Sequence, residues 1–215
     1  MSSSILEQLG QAVVEGNVDK VERLCQEAIE RNVDPLEALT NGLAKGVKEV
    51  GDRFGKGEVF LADLIMAGEA MKVGTALLLP KVKEAGMQRE SLGRVLIGTV
   101  KGDIHSIGKD IVATLMEAEG FEVNNIGEDI QDEVFVDKVK EYKPSILGLS
   151  SLMTVTMPAQ KDVIDLLEKR ALRNKVKVII GGAPTTQQWA EEIGADGWAG
   201  DAVSAVKKAR ELVGK

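Results

Sequence analysis

The sequence predicts an α + α/β protein, a four-helix bundle followed by a doubly wound five-stranded parallel sheet. Three observations carry that prediction. Through about the first 90 positions apolar residues recur at helical spacing, with no β-branched run among them. From residue 94 onward, short β-branched runs alternate with helical segments, the pattern of parallel strands joined by crossover helices. The length of 215 residues suits two domains, since domains cluster near roughly 100–150 residues.

The first helix carries Ile5, Leu6, Leu9 and Val13 at helical spacing. A second starts at Asn17, a good N-cap, and puts Val18, Val21, Leu24, Cys25, Ala28 and Ile29 on one face. The third opens with Asp34-Pro35-Leu36-Glu37, placing Asp at the N-cap, Pro at the first helical position and Glu two positions later. It runs through Leu39, Leu43, Val47 and Val50 to Phe54 and stops at Gly55-Lys56-Gly57. The fourth covers about 60–83. Gly42 and Gly46 either let another helix or a ligand approach closely or are simply tolerated in a packed helix. The polar stretch from Glu84 to Arg94 separates the halves, so the expected domains are 1–88 and 94–215 with a linker at 89–93.

In the second half, strands are expected at 94–100, 121–124, 145–150, 176–180 and 197–199. Helices are expected at 107–119, 130–142, 157–170, 186–193 and 201–213. Such a sheet is Rossmann-like or flavodoxin-like. In the flavodoxin-like order, the loops after strands one, three and four share one edge, where open parallel sheets bind ligands.

Composition narrows the chemistry. Hydrophobic residues make up 44% and charged residues 28%, which excludes wholesale disorder. The formal net charge of −7 argues against a nucleic-acid partner. No apolar run reaches the roughly 20 residues that span a bilayer, so no membrane partner is expected. The N-terminus lacks a basic segment and an apolar segment of signal-peptide type, and with one cysteine, Cys25, the expected location is the cytoplasm. A single histidine, His105, rules out a site with several imidazoles.

The three loops are unusual. After strand one comes Lys101-Gly102-Asp103-Ile104-His105-Ser106-Ile107-Gly108, with Lys109 next. Strand three ends in Ser150-Ser151-Leu152-Met153-Thr154-Val155-Thr156, and strand four in Gly181-Gly182-Ala183-Pro184. Neither GxGxxG nor GxxxxGK[ST] is present, and Gly181-Gly182 alone is turn chemistry. A hydrolase triad of Ser150, His105 and Asp103 lacks the GxSxG elbow and any oxyanion hole. Asp103 and His105 fit another role. A metal-bound imidazole usually gives its other N–H to a carboxylate. One histidine cannot hold a bare ion usefully, but it can be the axial ligand of a metal held by a macrocycle. Read alone, the pair is better taken as an ordinary loop histidine beside an Asp that caps the next helix.

The spacing adds what the pair lacks. Asp103-x-His105-x-x-Gly108 is followed by 41 residues (109–149), Ser150-Ser151-Leu152, 28 residues (153–180) and Gly181-Gly182. This DxHxxG, SxL, GG series resembles the signature of cobalamin-binding domains that hold cobalt through a loop histidine. The stretch from Gly51 to Leu61, GDRFGKGEVFL, resembles part of the helical cap that precedes that domain in methyl-carrying corrinoid proteins of anaerobic methyltransferase systems and in methionine synthase. The resemblance covers nearly the whole chain and makes the bundle a cap domain.

The resemblance implies that His105 is the lower axial ligand to cobalt, displacing the cofactor's own base, with Asp103 and Thr156 completing a relay. Thr156 stands where a serine is commoner. It implies a cofactor-binding loop of Gly102, Asp103, Ile104, His105, Ser106, Ile107 and Gly108. Ser150, Leu152 and Thr154 would line the slot for the nucleotide tail, with Gly181, Gly182 and Ala183 passing close to it. Phe54, Leu61 and Leu64 would cover the upper face, or else are bundle core. The linker near 87–93 would be the hinge on which the cap moves. Lys101 and Lys109 would touch corrin amides or phosphate, or be solvated.

The implied cofactor is methylcobalamin, cycling between Co(I) and Co(III). One substrate-specific corrinoid methyltransferase would load a methyl group from a methylamine, methoxylated aromatic, methanol or betaine. A second would pass it to coenzyme M or to tetrahydrofolate or a tetrahydropterin, and a reductive activation protein would restore Co(I). The chain would not catalyse alone. Competing readings are a cobalamin-dependent sensor, the small subunit of an adenosylcobalamin mutase, and an α/β domain for another ligand. The first normally places a helix-turn-helix in front, and the second normally lacks the cap.

Overall fold

The computed structural model describes residues 4–85 and 91–215. It divides into two compact units, a helical one up to Glu90 that also takes in Glu117–Glu119, and an α/β one comprising the rest.

In the helical unit, α1 (Ile5–Val14) starts at a capping box, with Ser4 Oγ accepting from the Glu7 amide and Glu7 accepting from the Ser4 amide. Helix α2 (Val18–Glu30) is capped by Asn17, whose Oδ1 accepts from the Lys20 amide at 3.0 Å. Asp34 caps the third rod through the amides of Leu36 and Glu37. That rod is not one regular helix. A short α3 (Pro35–Glu37) passes into a π-helical stretch, Ala38–Ala44, and then into α4 (Lys45–Gly55). Helix α5 (Leu61–Glu84) closes the bundle. Leu9, Val13, Val21, Leu24, Leu39, Leu43 and Val47 form its core.

The glycines of the third rod serve helix packing. A Cβ on Gly46 would lie 2.6 Å from the Gly10 carbonyl and 2.8 Å from Val13 Cβ. One on Gly42 would lie 3.1 Å from Leu9 Cβ. The close neighbour that these glycines admit is therefore α1.

The α/β unit runs β1 (Arg94–Thr99), α6 (Ile107–Glu119), β2 (Glu122–Asn125), α7 (Asp132–Tyr142), β3 (Ile146–Ser150), α8 (Met157–Lys169), β4 (Lys177–Gly181), α9 (Gln187–Glu192), β5 (Gly197–Ala199) and α10 (Ala202–Leu212). All strand pairs are parallel and the order is β2-β1-β3-β4-β5. This is the flavodoxin-like order, whose switch point lies between β1 and β3. Strand ends fall within a residue of expectation. Helix α7 starts two residues later than expected because Ile130 forms a parallel bridge with Val100. Leu96, Phe135, Leu147, Leu149, Ile164 and Leu167 centre the core.

Part of the expected linker is tied to the α/β unit. The Leu92 amide donates to Gly120 O and the Glu122 amide to Gly93 O. Residues 87–90 of the expected hinge lie outside the described residues. Among the described residues no helix is long and apolar enough to cross a membrane.

Candidate functional site

The register aligns the carboxyl ends of β1, β3 and β4 through the pairs Thr99–Ser150 and Ser150–Gly181. The three unusual loops therefore leave from adjacent strands at the switch point. The loop after β1 stays extended long enough for Asp103 to turn back on His105. Asp103 Oδ1 lies 2.7 Å from His105 Nδ1 and also accepts from the His105 amide at 3.1 Å. Asp103 is thus tied to its own loop rather than capping α6.

The other carboxylate oxygen reaches the loop after β3. Asp103 Oδ2 accepts from the Leu152 amide at 2.7 Å, the Met153 amide at 3.3 Å and Thr156 Oγ1 at 2.8 Å. Thr156 is the N-cap of α8 yet makes no capping bond there; its hydroxyl goes to Asp103. Its methyl lies under the turn, 3.5 Å from where a Cβ on Gly102 would sit. Ser151 Oγ lies 2.8 Å from Thr156 Oγ1. The Thr156 proton is best used on the charged carboxylate, which leaves the Ser151 proton for Thr156 Oγ1 or for Met153 O at 3.2 Å. The result is a buried chain, Ser151 to Thr156 to Asp103, ending at the half-exposed His105 ring.

Burial pushes the Asp103 carboxyl up, but the His105 ring and amide, the Leu152 amide and the Thr156 hydroxyl outweigh it and hold the group down at about 2. The proton between Asp103 and His105 therefore rests on Nδ1 of the imidazole. Nε2 is the ring nitrogen that the carboxylate leaves available.

Around the histidine the edge is apolar and open. Ile104, Ile107, Leu152 and Val155 are exposed by 73%, 58%, 43% and 80%. Thr154 and Ala183 are exposed, whereas Ser106, Ser150, Gly181 and Gly182 are half-buried. Lys101 is exposed, but Lys109 is buried with its Nζ on Asp110 at 2.7 Å. In the helical unit, Leu64 belongs to the core, Phe54 is half-buried and Leu61 is exposed beside an 82% exposed Phe60.

Two domain models match, both described as a B12 binding domain, one over residues 93–207 and one over 5–79. The chain belongs to the B12-binding corrinoid protein family. It is 45% identical to a corrinoid protein of Desulfitobacterium hafniense, covering 100% of both chains. It is 48% identical to the dimethylamine corrinoid protein of Methanosarcina barkeri, over 81% of this chain and 82% of that one. Among solved structures, the methanol:cobalamin methyltransferase complex of Methanosarcina barkeri matches with a TM-score of 0.87 at 29% identity, covering 100% of this chain and 81% of that one.

The cofactor of this corrinoid protein is a cobalamin or other corrinoid, and its residues fit one. The site offers an imidazole backed by a buried carboxylate, with apolar side chains about it. Gly108, in the first turn of α6, would carry a Cβ with nothing within 4 Å, so no atom of the chain itself demands glycine there. Gly182 differs. At φ +122° it lets the chain pass the backbone of Ser151, whose carbonyl oxygen a Cβ would meet at 1.7 Å.

Sequence reasoning missed three supports. Ser151 was visible only as the middle of SxL. Thr99, buried at the end of β1, donates its hydroxyl to His105 O at 3.0 Å. Gln160 on α8 is buried and ties Leu149 O and Gly181 O together at 3.0 and 3.2 Å. An apolar helix face interrupted by a glutamine was the one available signal for the last.

Proposed function

We propose that this chain carries a methyl group on the cobalt of a corrinoid seated at the carboxyl edge of the sheet, where His105 Nε2 would hold the metal. The observation that carries the reading is the Asp103–His105 contact, a half-exposed imidazole held by a fully buried carboxylate. When bound, the cobalt centre supplies the nucleophile that accepts the methyl group and the leaving group that releases it.

The chain's own residues do the rest. Asp103 accepts a hydrogen bond from Nδ1–H, which fixes the tautomer and raises the basicity of Nε2. Thr156 and the amides of Leu152 and Met153 hold Asp103 ionised, and Ser151 orients the Thr156 hydroxyl. Ile104, Ile107, Leu152 and Val155 give the corrin an apolar seat that excludes water from beneath it. Ser150, Thr154, Gly181, Gly182 and Ala183 flank the path of the nucleotide tail.

The methyl donor is a small methylated compound delivered by a partner methyltransferase. Methylamines come first, because the Methanosarcina barkeri relative is named for dimethylamine. A second methyltransferase takes the group to coenzyme M or a reduced folate or pterin, and a reductive activation protein serves the chain. These partners act in the cytoplasm.

The test is reconstitution with hydroxocobalamin, desalting and visible spectroscopy of the wild type beside His105→Ala. Stoichiometric retained colour with a band shift in the variant is expected. A colourless but folded wild type, or identical spectra, would overturn the assignment.

A further inference from the structure

The loop that carries His105 is anchored near both ends. The Val100 amide donates to Ser150 O at 3.0 Å, and Thr99 Oγ1 donates to His105 O at 3.0 Å. Between these anchors the Asp103 side chain is held by the loop after β3, and the main chain is held by a residue of a third loop. The Gly102 amide donates to Asp129 Oδ1 at 2.7 Å, and the Asp129 amide donates to Asp103 O at 2.9 Å. Side chain and main chain of Asp129 thus grip the same turn from two sides.

Asp129 is itself well fixed. It lies between β2 and α7, next to Ile130, whose amide donates to Thr99 O at 3.1 Å and which bridges to Val100. Both halves of the clamp sit in the left-handed region, Gly102 at φ +79° and Asp129 at φ +52°. Aspartate, asparagine and glycine enter that region far more readily than other residues. Gly102 accommodates the turn, and Asp129 supplies both the turn and the bonds.

We propose that Asp129 is a positioning residue for the cobalt ligand. It does not touch His105. It holds the Gly102 amide and the Asp103 carbonyl, the peptides on either side of the Gly102–Asp103 link, which aims the Asp103 side chain, which in turn holds Nδ1. Without the clamp the β1 loop has fewer restraints, and the imidazole spends part of its time away from the geometry that ligation needs. This inference rests on the reading of His105 as axial ligand.

The test compares wild type, Asp129→Gly, Asp129→Asn and His105→Ala, each loaded with hydroxocobalamin and desalted. Glycine keeps the left-handed backbone and the bond from residue 129 to Asp103 O but deletes the carboxylate. Asparagine keeps the accepting Oδ1. Asp129→Gly should bind the cofactor with a spectrum displaced toward that of His105→Ala, the ligated-to-unligated ratio falling roughly tenfold for one lost charge-assisted hydrogen bond. Asp129→Asn should restore the wild-type spectrum. A fully ligated Asp129→Gly would overturn the inference while leaving the role of His105 intact. A wild type that never shows ligation would instead overturn the reading beneath it. Hydrogen exchange on the wild-type apoprotein gives an independent readout. The Gly102 amide should be protected, and exchange at the rate of an unbonded loop amide would also overturn the clamp.

Discussion

A side chain at Gly182 has no room, and a side chain at Gly108 has nothing but room. The first would put Cβ 1.7 Å from the Ser151 carbonyl oxygen at φ +122°, the second would meet nothing within 4 Å. The two alanine variants should therefore part company. Gly182→Ala should cost about 3 kcal/mol of stability or more, from left-handed strain and backbone overlap together. Gly108→Ala should stabilise the apoprotein by up to about 1 kcal/mol through helix propensity, and, with the corrinoid seated as proposed, should weaken cobalamin retention. Urea unfolding of the apoproteins and retained colour after desalting check both halves. A Gly108→Ala protein that holds cobalamin as tightly as wild type would remove the cofactor from the explanation of that glycine. The same residues show what the sequence made legible. Asp103 and His105 lie two apart on one loop, so their contact needed only an extended chain. Ser151 was in plain view, but its role depends on Thr156 turning away from its own helix. Asp129 lies 27 residues from Gly102, and only the pairing of β1 with β2 brings them together.

At the scale of elements, the α/β half was legible almost to the residue, because each strand is a short apolar run closed by Gly, Ser or polar residues. The third rod of the bundle was not. Leu39, Leu43, Val47 and Val50 recur at a spacing that an α-helix and a π-interrupted helix both satisfy, so periodicity alone could not show Ala38–Ala44 as π-helical. A π segment is an α-helix carrying one residue too many, with the flanking turns still in register. That makes a prediction about deletion. Removing the exposed Asn41 should let the rod close into continuous α-helix while Leu39 and Val47 keep their faces, changing stability by about 1 kcal/mol or less, the worth of a backbone hydrogen bond. Removing the equally exposed Lys48 should rotate Val50 and Gly51 out of the core, costing about 3 kcal/mol or more. Thermal melts followed by far-ultraviolet circular dichroism separate the two. Equal losses would mean that the π turn is itself required by the packing against α1.

At the scale of the whole molecule, the chain supplies a separate reporter for each unit. Its one cysteine, Cys25, is buried in the helical unit, and both tryptophans, Trp189 and Trp198, belong to the α/β unit. Burial pushes the Cys25 thiol up to about 11, against 9.0 for the unperturbed group. Below pH 9 the folded protein therefore presents about a hundredfold fewer thiolates at Cys25 than a free cysteine would. The thiolate is the nucleophile, so native alkylation should be negligible at pH 8, and the rate should rise only as the helical unit opens. Trp198 Nε1 donates to Thr185 Oγ1 and Trp189 Nε1 to Gln160 Oε1, so both indoles lose buried partners when the α/β unit opens. The smaller helical unit has less surface to bury and no sheet ladder, which makes it the weaker of the two. In a urea series on the apoprotein, Cys25 labelling should rise at lower denaturant than the tryptophan transition. Coincident curves would show instead that the two units unfold as one cooperative body, and a cap free to open would then need another source of independence.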